Sequence, residues 1–190
     1  MASELRVDKI VPVDGVTSSG GGGIVQVQSA TKTDAWNMPS NDTNFHTVTG
    51  LSVTITPKFS TSKILVMYDM NWSAIGGHCS CRLMRDSTPI KVGNGSGSKA
   101  QVTGQIHYTS GDQYDLENVS GTHMDSPSTT SAVTYSMQVG TPYSSSYEVY
   151  VNYHAEDGQN LAWQGRGASS ITVMEVSGWL DTLKTLIYNK

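Results

Sequence analysis

At 190 residues the chain is long enough for one domain with a real core plus extensions. Its formal net charge is −4, and only 15% of its residues are charged. No basic cluster occurs, which argues against the electrostatic footprint of a nucleic-acid binder. No run approaches the ~20 consecutive apolar residues of a membrane span. The start, MASELRVDKIV, lacks the apolar stretch of a secretory leader, so folding in a cytoplasm is expected.

The composition points to strands. There are 18 Val and 20 Thr against 9 Leu, and Ser and Thr together make about a quarter of the chain. Side chains branched at Cβ suit a pleated, half-buried surface.

In chain order, residues 2–17 are apolar and polar by turns, with Leu5, Val7, Ile10 and Val11 too apolar for an ordinary solvated tail. SSGGGG at 18–23 follows as a flexible spacer. Residues 1–23 are therefore expected to be an attachment arm and linker, with those four residues gripping a partner. Ile24–Ser29 alternates as a strand, and residues 30–45 read as a long loop that Trp36 and Phe45 pin. His46–Thr49 reads as a further short strand. Leu51–Trp72 reads as strand, tight turn and strand, a hairpin: Leu51, Val53 and Ile55 share one face. Pro57 ends the first run. Ile64–Met70 is apolar on both faces apart from Asp69, as in a strand covered on both sides.

His78–Arg85 is expected as a strand with Cys79, Cys81 and Leu83 on one face, then a turn at 86–89 and a return strand at Ile90–Val92. The glycine-rich GNGSGS at 93–98 has neither a following helix nor a Lys-Ser/Thr pair, so it is no phosphate loop. Lys99–Tyr108 is a further strand, and residues 109–131 read as a long polar loop or several short excursions. Three strong strands follow. Val133, Tyr135, Met137 and Val139 share a face of Ala132–Val139, and Tyr147, Val149, Val151 and Tyr153 share a face of Tyr147–Tyr153. Ser170–Val176 is apolar and last. Eight to ten strands at this spacing predict an all-β fold, a jelly-roll β-sandwich over residues 24–178. Residues 179–190 read differently: Trp179, Leu180, Leu183, Leu186 and Ile187 recur at helical spacing. That predicts a short amphipathic helix, which holds only by packing its stripe on a partner surface.

No catalytic constellation emerges. Serine is abundant but forms no Gly-x-Ser-x-Gly elbow, and the five histidines show no HExxH spacing. Loop acids at Asp112, Asp115, Glu117 and Asp125 lack the EF-hand pattern. Cys79 and Cys81, two apart on a strand, are too far apart for a comfortable disulfide and read as buried small hydrophobes. No catalytic residue, metal ligand or cofactor is expected. Aromatic residues in loops, Trp36, Tyr114, Tyr143 and Trp163 among them, are candidates for an adaptable recognition surface.

Specific stretches carry a likeness. SELRVDKIVPVDG before the Gly run resembles the start of bacteriophage tail-fibre and related virion proteins. FHTVTGLSVTITPKFSTSKILVMYDMNW, CRLMRDSTPIKVG and SSITVMEVSG resemble small structural proteins of phages, notably those of marine and cyanobacterial hosts. The strand order also resembles the trimeric C1q/tumour-necrosis-factor-like jelly roll. The likeness covers most of residues 3–178. Members of the family stop soon after the ITVMEV strand, whereas this chain continues through Trp179–Lys190. The resemblance implies a non-enzymatic virion component, a homotrimeric tail-fibre or appendage knob. Its partners would be sister chains, other virion proteins and a host-surface glycan, with no nucleic acid and no membrane insertion. A capsid decoration protein and a carbohydrate-binding adhesin are the alternatives.

Overall fold

The computed structural model describes residues 23–107, 115–154, 162 and 164–177. The N-terminal arm through residue 22 and the C-terminal stripe from Trp179 lie outside the described residues. Eleven strands are described: β1 (Ile24–Lys32), β2 (Trp36–Asn37), β3 (Phe45–Ile55), β4 (Lys63–Ile75), β5 (His78–Arg85), β6 (Thr88–Ile90), β7 (Gly104–His107), β8 (Glu117–Asp125), β9 (Val133–Gly140), β10 (Glu148–Val151) and β11 (Ser169–Val176). They form two antiparallel sheets. In the first, β1 pairs β11, β11 pairs β4, and β8 pairs the opposite edge of β4. Beyond β11 the same edge of β4 is taken by β10, which carries β2. In the second sheet the order is β3-β9-β5, with β6 and β7 sharing the far edge of β5. Two four-strand runs, β1-β11-β4-β8 and β3-β9-β5-β6/β7, make a jelly roll with β2 and β10 added.

The core lies between the sheets, where period-two alternation aims one side chain in two. From the first sheet come Ile64, Val66, Tyr68, Met70, Trp72, Ile171 and Val173; from the second, Leu51, Val53, Ile55, Cys79, Cys81, Leu83, Tyr135, Met137 and Val139. The expected apolar faces of β5 and β9 are fully inward. Cys79 and Cys81 are free and buried, as two small hydrophobes.

Two expectations are corrected. Leu51–Trp72 is not a hairpin: β3 belongs to the second sheet and β4 to the first. Both edges of β4 are already taken, by β11 and β10 on one side and β8 on the other. The connection at 56–62 therefore steps across the ~10 Å between sheets. Glu175, fully buried at the end of β11, holds it there. Its carboxylate accepts from the Lys58 and Phe59 amides at 2.7 and 3.4 Å and from Gln26 Nε2 at 2.6 Å. The polar stretch 109–131 is not one loop, because β8 runs through it and pairs with β4 over nine positions. Its inward positions are Val119, Gly121, His123 and Asp125, so it carries no alternating apolar signal. Long-range pairing alone makes it a strand.

Smaller shifts also occur. Phe45–Ile55 is one continuous strand with an irregularity between Thr47 and Ser52. The turn after β5 tightens to Asp86-Ser87, so the return strand is Thr88–Ile90. β4 is not sealed on both faces: Leu65, Met67 and Asp69 are half-buried while their even-numbered neighbours are buried.

Candidate functional site

The outward positions of the first sheet define the most distinctive surface. Side chains directly opposite one another on adjacent strands touch. Val27 on β1 lies opposite Met174 on β11, Met174 opposite Leu65 on β4, and Leu65 opposite Met124 on β8. One apolar row thus crosses all four strands. Val27 is 48% and Met124 47% exposed, while Met174 and Leu65 between them are half-buried. Beside the row, Ile24 faces Val176 and is 62% exposed. Along β4 the face turns polar: Met67 lies between Thr172 and Thr122, and Asp69 between Ser170 and Ser120. There Asn118 Nδ2 donates to Asp69 at 3.0 Å and to Asn71 at 3.4 Å.

The apolar end is also where the described chain begins and stops. The Ser177 amide donates to the Gly23 carbonyl at 3.1 Å, and the Gly23 amide to Ser177 Oγ at 3.2 Å. Residues 1–22, with Leu5, Val7, Ile10 and Val11, and residues 178–190, with Trp179, Leu180, Leu183, Leu186 and Ile187, therefore join the domain beside this row.

Of the candidate recognition aromatics, Tyr114 and Trp163 lie outside the described residues. Trp36 is on β2, half-buried against the core. Tyr143 is 53% exposed at the other end of the sandwich, next to His78. His78 and His107, which the sequence left scattered, are brought directly opposite each other on β5 and β7. Nothing in their spacing announced this, because the register between two strands with 18 residues between them is a tertiary fact.

Reactive chemistry is sparse. Burial pushes both thiols up to about 12, so neither forms a ready nucleophile. Among the described residues, no group of three or more His, Cys, Asp or Glu is placed to hold a metal ion. His46 Nε2 meets Asp42 at 2.8 Å. The Asn44 amide, then the bond to His46, holds that carboxyl below its usual range. Asp125 links the sheets: it accepts from the buried Tyr135 hydroxyl at 2.7 Å and from Arg85 at 2.9 and 3.0 Å. Burial first, and then this bond, raise the Tyr135 hydroxyl far above its ordinary value. The arrangement fastens β8 to β5 and β9.

No family model matches the chain, and no curated protein matches it.

Proposed function

We propose that this is a non-enzymatic bacteriophage virion structural protein, a homotrimeric tail-fibre or appendage knob. The observation that carries the reading is the apolar row Val27–Met174–Leu65–Met124 across the outer face of the first sheet. Exposed apolar patches of this kind mark interaction surfaces. A second copy of the chain is the occupant favoured here, because closed symmetric assemblies are the common solution for a repeated chain. Both apolar terminal segments join the domain at the same end, which concentrates contact-forming residues at one pole. The resemblance of SELRVDKIVPVDG to tail-fibre starts supplies the virion context, with the arm as anchor.

Light scattering on the purified chain tests the oligomer: a mass three times that of the 20.4 kDa chain is expected, and a stable monomer at micromolar concentration refutes it. Deleting residues 1–23 should leave the sandwich folded and abolish incorporation into particles. Normal incorporation of the truncated chain would remove the anchor from the account.

A further inference from the structure

We propose that His78, His107, Tyr143 and Gln105, on the outer face of the second sheet, form a binding site for a neutral glycan. The proposal borrows only its orientation from the assembly reading; its chemistry rests on the patch itself.

The four side chains are held before any ligand arrives. His78 and His107 occupy directly opposed positions on β5 and β7, with ring centroids 4.2 Å apart and planes tilted by 42°. The Tyr143 ring stands 5.4 Å from that of His78, at 58°. Gln105 Nε2 donates to the Tyr143 hydroxyl at 3.1 Å and to Ser80 Oγ at 3.2 Å. Tyr143 is thus solvent-facing yet fixed at both its ring and its hydroxyl. An aromatic ring positioned in advance loses little freedom on binding, which leaves more of the contact energy as affinity.

The neighbouring backbone keeps the approach low. β4 turns into β5 through Gly76 and Gly77, whose φ angles are +97° and +154°. The Tyr147 ring lies against this pair, and a Cβ on Gly77 would come within 2.6 Å of it. Both the backbone conformation and the close approach demand glycine.

The chemistry matches a sugar. An exposed aromatic face suits the C–H face of a pyranose, while imidazole, amide and hydroxyl groups both donate and accept, as hydroxyl edges require. None of these four residues is a lysine, an arginine or an acid. The next cation along β5, Arg82, is turned away over the Phe45 ring at 3.6 Å, with its Nε donating to the Gln101 carbonyl. An anionic sugar would therefore gain no guanidinium partner from Arg82. A zinc ion is a poorer fit, because its sites use three or four protein ligands and the described residues offer no such group.

Position adds to this. Leu65 and Ile75 are ten residues apart on β4, which is about 33 Å at strand rise. The patch therefore lies at the end of the sandwich far from the apolar row and the junctions with both terminal segments. A knob attached through that pole presents this patch outward.

The test uses the full chain. A glycan array of neutral, sialylated and sulfated oligosaccharides is followed by saturation-transfer NMR with galactose, glucose, mannose, N-acetylglucosamine and lactose. At least one neutral sugar should bind. Tyr143→Ala and the double variant His78→Ala/His107→Ala should each weaken that binding at least tenfold. Tyr143→Phe, which keeps the ring and loses only its hydroxyl contact, should weaken it about threefold. Tyr143→Ala should leave the melting temperature and the oligomeric mass unchanged, so the loss can be assigned to the site. The proposal is overturned if no neutral glycan binds, if only acidic glycans bind, if Tyr143→Ala binds as well as the wild type, or if the patch responds to Zn2+ alone. A monomeric chain that still binds sugar through Tyr143 would defeat the assembly reading and leave this one standing.

Discussion

The two sheets bury similar inner faces and present opposite outer ones. On the first, the outward row Val27–Met174–Leu65–Met124 is apolar across four strands. On the second, the row across β3 and β9 is polar: Thr54 and Thr134 meet at 2.8 Å, Ser52 faces Ser136, and Gln138 lies between Thr47 and Arg82. Inward residues are constrained by packing against the opposite sheet. Outward residues leave the core untouched, so they are free to carry contact chemistry. Core packing and surface chemistry are thus written in alternate positions of the same strands.

The sharpest way to break the comparison is to charge each outer face. Leu65→Asp puts a carboxylate in the middle of the apolar row and should reduce the proposed trimer to a monomer by light scattering. Gln138→Asp on the second sheet should leave the mass unchanged. The reverse outcome would move the interface to the wrong sheet.

Alkali separates the inner faces. Cys79, Cys81 and Tyr135 all belong to the second sheet, and burial raises the pKa of each. Their protonated forms prevail in the folded state while the unfolded chain loses those protons, so the native state binds more protons and stability falls as pH rises. The thiol contribution is fully present below pH ~9 and is lost progressively as pH rises toward the folded value of about 12. Denaturant titrations at pH 8 and 11 should show this loss. Cys79→Ala/Cys81→Ala, though less stable at pH 8, should lose less between the two pH values. An equal loss would mean that the thiols are not its source.

Glycine substitutions sharpen the contrast on a smaller scale. A Cβ on Gly140, in the second sheet, would meet the Asn44 carbonyl oxygen at 2.8 Å and Phe45 Cα at 3.1 Å. Those are backbone atoms, so Gly140→Ala should cost about 1–3 kcal/mol. A Cβ on Gly121, in the first sheet, would meet Lys91 Nζ at 2.5 Å and the Tyr68 hydroxyl at 2.6 Å. Lys91 is long and can swing aside, giving up its 2.9 Å bond to Tyr68, but the buried Tyr68 ring must shift as well, so Gly121→Ala should cost about 1–2 kcal/mol, at or below the cost of Gly140→Ala. Thermal melts of the two variants give the ranking, and a more stable Gly140→Ala would show that the β9–β3 edge yields where the geometry says it cannot.

The legible parts of the fold were those where period two and burial coincide. β5, β9 and β11 were readable because Cys79, Cys81 and Leu83, then Val133, Tyr135, Met137 and Val139, then Ile171 and Val173 alternate with polar or half-buried neighbours. β8 was not, because its inward side presents Gly121, His123 and Asp125. Of the candidate surfaces, Tyr143 was visible as a loop aromatic. The row Val27–Met174–Leu65–Met124 was hidden, since its members come from four strands and none stands out within its own segment.

What the sequence determined by itself is local: which segments extend, which face of each is apolar, and where glycine, proline and hydroxyl clusters end a run. These follow from interactions among residues a few positions apart. Only the tertiary structure decided which strands pair, in which sheet and in what register. β3 and β4 are consecutive and look like a hairpin, yet they face each other across the core because β4 gives both its edges to strands from far along the chain. His78 meets His107 for the same reason. Pairing is a competition among all extended segments for the same backbone groups, and its winner depends on the whole core being filled at once.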